Sequence, residues 1–114
     1  MSTLIYKILS AAEWQAAERD GAFRGAGIDL ADGFIHFSTA SQAEETATKH
    51  FAGQGDLVLV AIEAERFGSA LKWEVSRGGQ LFPHLYAPLP VADALWVKPL
   101  PLGADGKHRF PVLD

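Results

Sequence analysis

Two histidines set the chemistry open to this chain: His36, two residues before Ser38, and His84, two residues before Tyr86. An imidazole titrates near neutrality and can donate and accept a hydrogen bond at once. Both histidines stand in short segments of alternating character, so a spacing of two places histidine and hydroxyl on one face of a strand. Glu74, in LKWEV, adds a carboxylate beside Trp73. Two imidazoles facing one cleft with a tyrosine and a carboxylate make a site for proton transfer or for holding a polar ligand. Each residue also has a structural alternative. A strand histidine can bond a backbone carbonyl, and Ser38 can help Thr39 cap the next helix. Tyr86 can be a core aromatic with a wet hydroxyl, and Glu74 a solvated charge paired with Lys72 or Arg77.

The remaining histidines offer less. His50 falls near a helix C-terminus, where a cation suits the dipole, and His108 lies in the tail. His36, His84 and Glu74 have ligand types acceptable to zinc or ferrous iron, but no helical His-x-x-x-His spacing supports a centre, and no metal is expected. Arg77-Gly78-Gly79 is read as a reverse turn with an exposed arginine rather than a phosphate contact. The chain has no Gly-x-Gly-x-x-Gly, Walker loop or Gly-x-Ser-x-Gly elbow.

Composition narrows the classes further. The 114 residues carry 48% hydrophobic and 21% charged side chains, enough apolar surface for one domain core and too short a chain for two. Zero cysteines exclude disulfides, thiolate metal sites and thiol nucleophiles. Ten basic against fourteen acidic groups give a net charge of -4, which does not draw in a polyphosphate, so no DNA partner is expected. No apolar run reaches the roughly 18 residues of a membrane helix, and no charged segment precedes an apolar one at the start. The expectation is a soluble, cytoplasmic protein without a membrane partner; its oligomeric state stays open.

The elements that must position the histidines can be read from pattern. Residues 4–9 (LIYKIL) suit a central strand, and Ser10 opens a helix through the capping box Ser10-Ala-Ala-Glu13, with Trp14 and Ala17 inward and Gly21 as the stop. Residues 21–33 read as a loop. Residues 33–38 alternate, with Phe34, His36 and Ser38 on one face and Ile35 and Phe37 on the other. Thr39 and Gln42 form a second capping box, opening a helix whose Ala40, Ala43, Ala47 and Phe51 share a face. Further strands are expected at 57–62, 71–75, 82–86 and 94–97. The class is therefore α+β: one compact domain over 1–114, with a mixed or mostly antiparallel split β-sheet and two main helices. Its core spans 4–100, and a Pro/Gly-rich extended tail follows at 101–114.

The succession IYKI, Trp14, DGFIHFSTASQ, LVLVAIE, LKWE, GGQLFPHLY and ALWV resembles a bacterial family of small proteins, domain of unknown function 952, over about residues 4–100. That family in turn resembles the ADP-ribosyltransferase-like superfamily, whose members bind NAD or an ADP-ribosylated intermediate in a cleft between two small sheets and include RNA 2'-phosphotransferases. The resemblance implies an ADP-ribosyltransferase-like fold and a cleft for NAD, ADP-ribose or a related nucleotide, with NAD as substrate and ribosyl or phosphoryl transfer as the reaction. It places His36, His84 and Glu74 as catalytic groups and Tyr6, Lys7, Ser38 and Tyr86 as substrate-binding groups. The chain departs from the pattern in two places: Lys7 stands where relatives often have histidine, and Ala87 where they often have glycine. Competing with the enzyme are a noncatalytic module for a small ligand or peptide and a structural protein with core histidines.

Overall fold

Strand β1 (Leu4–Ser10) runs through the centre of the molecule, buried along most of its length. The computed structural model describes residues 3–113, apart from the side chain of Arg77; what the sequence suggested for Met1, Ser2, Asp114 and the Arg77 side chain lies outside the described residues. β1 pairs antiparallel with β4 (Leu57–Glu63), which pairs antiparallel with β8 (Trp96–Leu100). A second antiparallel sheet has the order β3 (Ile35–His36), β6 (Leu81–Leu85), β5 (Leu71–Val75), and a two-residue pair joins β2 (Ala22–Phe23) to β7 (Leu89–Pro90). A bridge between Tyr6 and Ser38 connects the two three-stranded sheets, with reciprocal backbone bonds of 2.8 and 2.9 Å.

Both capping boxes form. At helix α1 (Ala11–Asp20) Ser10 Oγ accepts the Glu13 N–H, Glu13 accepts the Ser10 N–H, and Gly21 closes the helix at φ 93°. At helix α3 (Ala40–His50) Gln42 Oε1 accepts the Thr39 N–H, and its amide donates to the Leu81 carbonyl at 2.8 Å, tying the helix to β6. Alternation along β1 then sorts the core. Ile5 and Leu9 pack with Trp14, Ala17, Phe37 and Val60 beneath α1. Tyr6 and Ile8 face the other way, toward Ala47, Leu59 and Leu100 beneath α3. Ala43 and Ala47 are buried, whereas Ala40 and Phe51 at the ends of that face are only half-buried.

Three local expectations need correction. Residues 21–33 are not all loop: they contain β2 and a short helix α2 (Ile28–Asp32). The third strand is brief, because after His36 the chain leaves β6 and Ser38 bonds β1 instead. The last strand runs later than 94–97 and includes Pro99, which an edge strand tolerates because the outer side needs no N–H. Beyond it, Leu102 bridges His108, and Phe110 and Leu113 pack on the α3 side of the core.

Candidate functional site

Helix α2 is held by its own acid. Asp29, 3% exposed, takes the Lys7 ammonium at 3.0 and 2.8 Å, the His36 backbone N–H at 3.0 Å and the Ala26 N–H at 3.2 Å. His36 Nδ1 lies 2.6 Å from the same carboxylate, and Nε2 lies 3.0 Å from Asp32, three residues further along α2. With both ring nitrogens against carboxylates, both contacts are hydrogen bonds only when the ring is doubly protonated. Burial works to raise the Asp29 carboxyl, but the His36 hydrogen bond and the Lys7 charge prevail and hold it down to about 2. Burial pulls the Lys7 amine below the ordinary lysine range, with Asp29 opposing. Gly25 permits this arrangement: at φ +109° it lets the chain pass so near that a Cβ there would come within 2.9 Å of the Asp29 Cβ.

The second group hangs on the sheet that also carries His36. His36 is the register partner of His84, which is the partner of Lys72, so these side chains share a face with Glu74 and Tyr86, each two residues along. His84 Nδ1 lies 2.8 Å from Glu74 Oε1, and the Tyr86 hydroxyl donates to that same oxygen at 2.7 Å. Those two bonds, Tyr86 first, hold the Glu74 carboxyl below its usual range, and the bond to Glu74 raises the Tyr86 phenol. Phe34 stacks on His84 with centroids 4.1 Å apart and also touches His36 and Tyr86. The two imidazoles meet nearly edge to face at 5.3 Å.

Beside the Lys7–Asp29–His36 group, and bordered by His84, opens a cavity of about 520 Å³, within the range of small-molecule sites. Of the residues expected to form a site, Tyr6, Lys7, His36, Ser38 and His84 border it, whereas Glu74 and Tyr86 stand behind His84. Their availability differs. Lys7 is bound to Asp29, Ser38 Oγ bonds Thr46 Oγ1 at 2.9 Å rather than capping α3, and Tyr6 packs 5.9 Å from the Trp96 ring. Among the described residues His84 Nε2 has no hydrogen-bond partner; with Nδ1 turned back to Glu74, it is the nitrogen left for a ligand. The charged groups on the wall are Lys7, Glu13, Asp29 and Asp32, together with the imidazoles of His36, His50 and His84. Among the described residues no group of three or more metal-ligating side chains gathers to hold an ion.

Sequence reasoning missed Asp29 and Asp32. The available signal was the segment IDLAD between Gly27 and Gly33, with acids three apart and a left-handed glycine closing the turn at φ 83°.

Fold and site together define a small α+β protein with antiparallel sheets and a histidine–carboxylate cleft where they meet. The family described as a protein of unknown function, DUF952, matches residues 8–97, and this chain belongs to it. The crystal structure of CC0527 from Caulobacter crescentus is 59% identical with a TM-score of 0.91, the match covering 94% of each chain. A double mutant of that protein superposes equally well. Its solution NMR structure is 58% identical with a TM-score of 0.85, covering 93% of this chain and 91% of that one. No curated protein gives a significant match.

Proposed function

We propose that the cleft binds the ribosyl end of NAD, ADP-ribose or a related nucleotide, and that His84 is the group that meets it. The observation that carries this reading is His84 Nε2, without a hydrogen-bond partner among the described residues beside a cavity while Nδ1 is fixed by Glu74. A carboxylate behind an imidazole sets its tautomer, which equips the far nitrogen to hydrogen-bond a ribose hydroxyl or to move a proton there. Glu74 acts through His84 rather than on the ligand, and Tyr86 keeps Glu74 in place. His36 and Lys7 shape the adjoining wall, with Tyr6 and the Ser38 hydroxyl bordering the space.

Charge selects which part of the ligand lies innermost. When a ribosyl–nicotinamide bond breaks, its electron pair leaves with the neutral nicotinamide and positive charge builds on the ribose. The Glu13 and Asp32 carboxylates on the wall favour that charge, so the sugar–base end belongs inside. The ADP-ribosyltransferase-like resemblance supports the same assignment. A noncatalytic binder would use the cavity alone and show binding without turnover.

A thermal-shift screen with NAD, ADP-ribose, nicotinamide and nucleotide phosphates tests the reading. A ligand at 100 times its dissociation constant stabilises by about 2.7 kcal/mol. NAD or ADP-ribose should raise the melting temperature, and His84→Asn should abolish the rise. No response to any of these ligands would overturn the proposal.

A further inference from the structure

Among the described residues the two connected sheets leave two open edges, β8 and β5, and these edges are unlike. β8 carries Pro99, and Lys98 folds over the Trp96 ring at 4.4 Å; both features discourage another strand from adding. β5 (LKWEV) has neither proline nor glycine. Its apolar face is left open, with Trp73 41%, Val75 69% and the register partner of Val75, Leu81, 52% exposed. We infer that the outer edge of β5 pairs antiparallel with β5 of a second copy of this chain, about a two-fold axis at Trp73.

Backbone parity supplies the hydrogen bonds. Tyr86 donates to the Ala70 carbonyl and Ser76 to the Gln80 carbonyl, so the even positions of this strand turn their backbone groups toward β6. Period two then turns those of Leu71, Trp73 and Val75 outward. With the axis at Trp73, Leu71 meets the partner's Val75 and Trp73 meets its own copy. Every outward N–H and C=O finds a complement in that register.

Charge selects the same register. Lys72 lies opposite the partner's Glu74, and Glu74 opposite the partner's Lys72. Moving the axis by one residue to Lys72 would oppose lysine to lysine, a destabilising pair. Both groups have capacity to spare: Lys72 Nζ sits over the Tyr86 ring at 4.9 Å, and Glu74 takes both its bonds on Oε1, leaving Oε2 for the incoming ammonium. The exposed Trp73 and Val75 side chains, with the half-buried Leu71, gain cross-strand partners on the other face. This pairing would bring a lysine from one copy to the carboxylate that orients His84 in the other.

Sedimentation velocity and light scattering from micromolar to submillimolar protein test the pairing. A pair of five-residue strands is a small interface, so the mass should rise with concentration toward twice the 12.3 kDa chain. Lys72→Glu and Glu74→Lys should each run as monomers, and an equimolar mixture of the two should regain the dimer, because each variant supplies the charges the other lacks. Val75→Pro, which removes only an outward N–H, should also run as a monomer with its circular dichroism unchanged. In the parent chain the Leu71, Trp73 and Val75 amides should exchange more slowly at high concentration. A chain that stays monomeric at submillimolar concentration, or a dimer that survives both Val75→Pro and the single charge reversals, would overturn the inference.

Discussion

The two histidine groups that meet at the edge of the cavity each join an imidazole to a carboxylate, and they differ in what they leave available. On one side Lys7, Asp29, His36 and Asp32 form a chain in which Asp29 is almost completely enclosed and both nitrogens of His36 are taken. On the other, Glu74 and Tyr86 orient His84 through a single nitrogen, and the carboxylate remains partly open to solvent. A buried, mutually satisfied charge cluster fixes the position of a segment, here α2 against β1 and β3. A histidine held by one edge keeps the other edge for chemistry. The contrast assigns rigidity to the first group and ligand contact to the second.

The largest effect should come from removing the acid common to the first group. Asp29→Ala leaves the Lys7 ammonium buried without its partner and should cost about 3 to 5 kcal/mol in urea unfolding. A cost below about 1 kcal/mol would erase the distinction between the two sides.

Acid should dissolve the same cluster in the parent protein. The Asp29 carboxyl is depressed in the folded state, from 3.8 to about 2, so its contribution to stability is fully present above the unfolded value and disappears as pH falls through the folded one. Roughly 2 kcal/mol should therefore be lost between about pH 5 and pH 2. Unfolding curves of Asp29→Asn over that range should lack this component; an unchanged slope would place the acid sensitivity elsewhere.

Histidine replacements then compare the two sides directly. His36→Asn removes the imidazole donor from two carboxylates and should cost about 2 to 3 kcal/mol. His84→Asn should cost about 1 kcal/mol, chiefly the lost ring contact with Phe34. Equal costs in urea melts would contradict the assignment of rigidity to His36.

How much of this was legible beforehand depended on range. Ser10 with Glu13 and Thr39 with Gln42 are local signals, three residues apart, and both helices start where those boxes stand. The alternation of Phe34 and His36 against Ile35 and Phe37 was likewise readable, because the two faces of a strand follow from period two alone; Ile35 and Phe37 are buried in the core. Asp29 was not legible. It sits in a five-residue helix with no side-chain cap, and its principal partner is 22 residues away on β1. Spacing cannot announce a pairing that only the tertiary fold creates. The brevity of β3 has the same origin, since Ser38 exchanges β6 for β1 as its neighbour. Sequence identified the two histidines as a pair but not their inequality, which rests on which nitrogens the surrounding carboxylates occupy.

The smallest structural effect is expected at the rim. Tyr86→Phe should change stability by less than about 0.5 kcal/mol, because the ring is substantially exposed. The Glu74 carboxyl should nevertheless move up toward its ordinary range, having lost the first of the two hydrogen bonds that depress it. Carbon-detected NMR titration of the Glu74 carboxyl reads that shift, and its absence would show that Tyr86 does not position Glu74.

The inequality of the histidines is tested most directly by nitrogen NMR of the imidazoles in protein labelled at histidine, titrated with NAD and with ADP-ribose. The expected result is a saturable shift of the His84 Nε2 resonance, with His84 Nδ1 still bonded to Glu74 and both His36 nitrogens little changed. A saturable shift confined to His36, or ligand saturation that moves neither ring, would contradict the account.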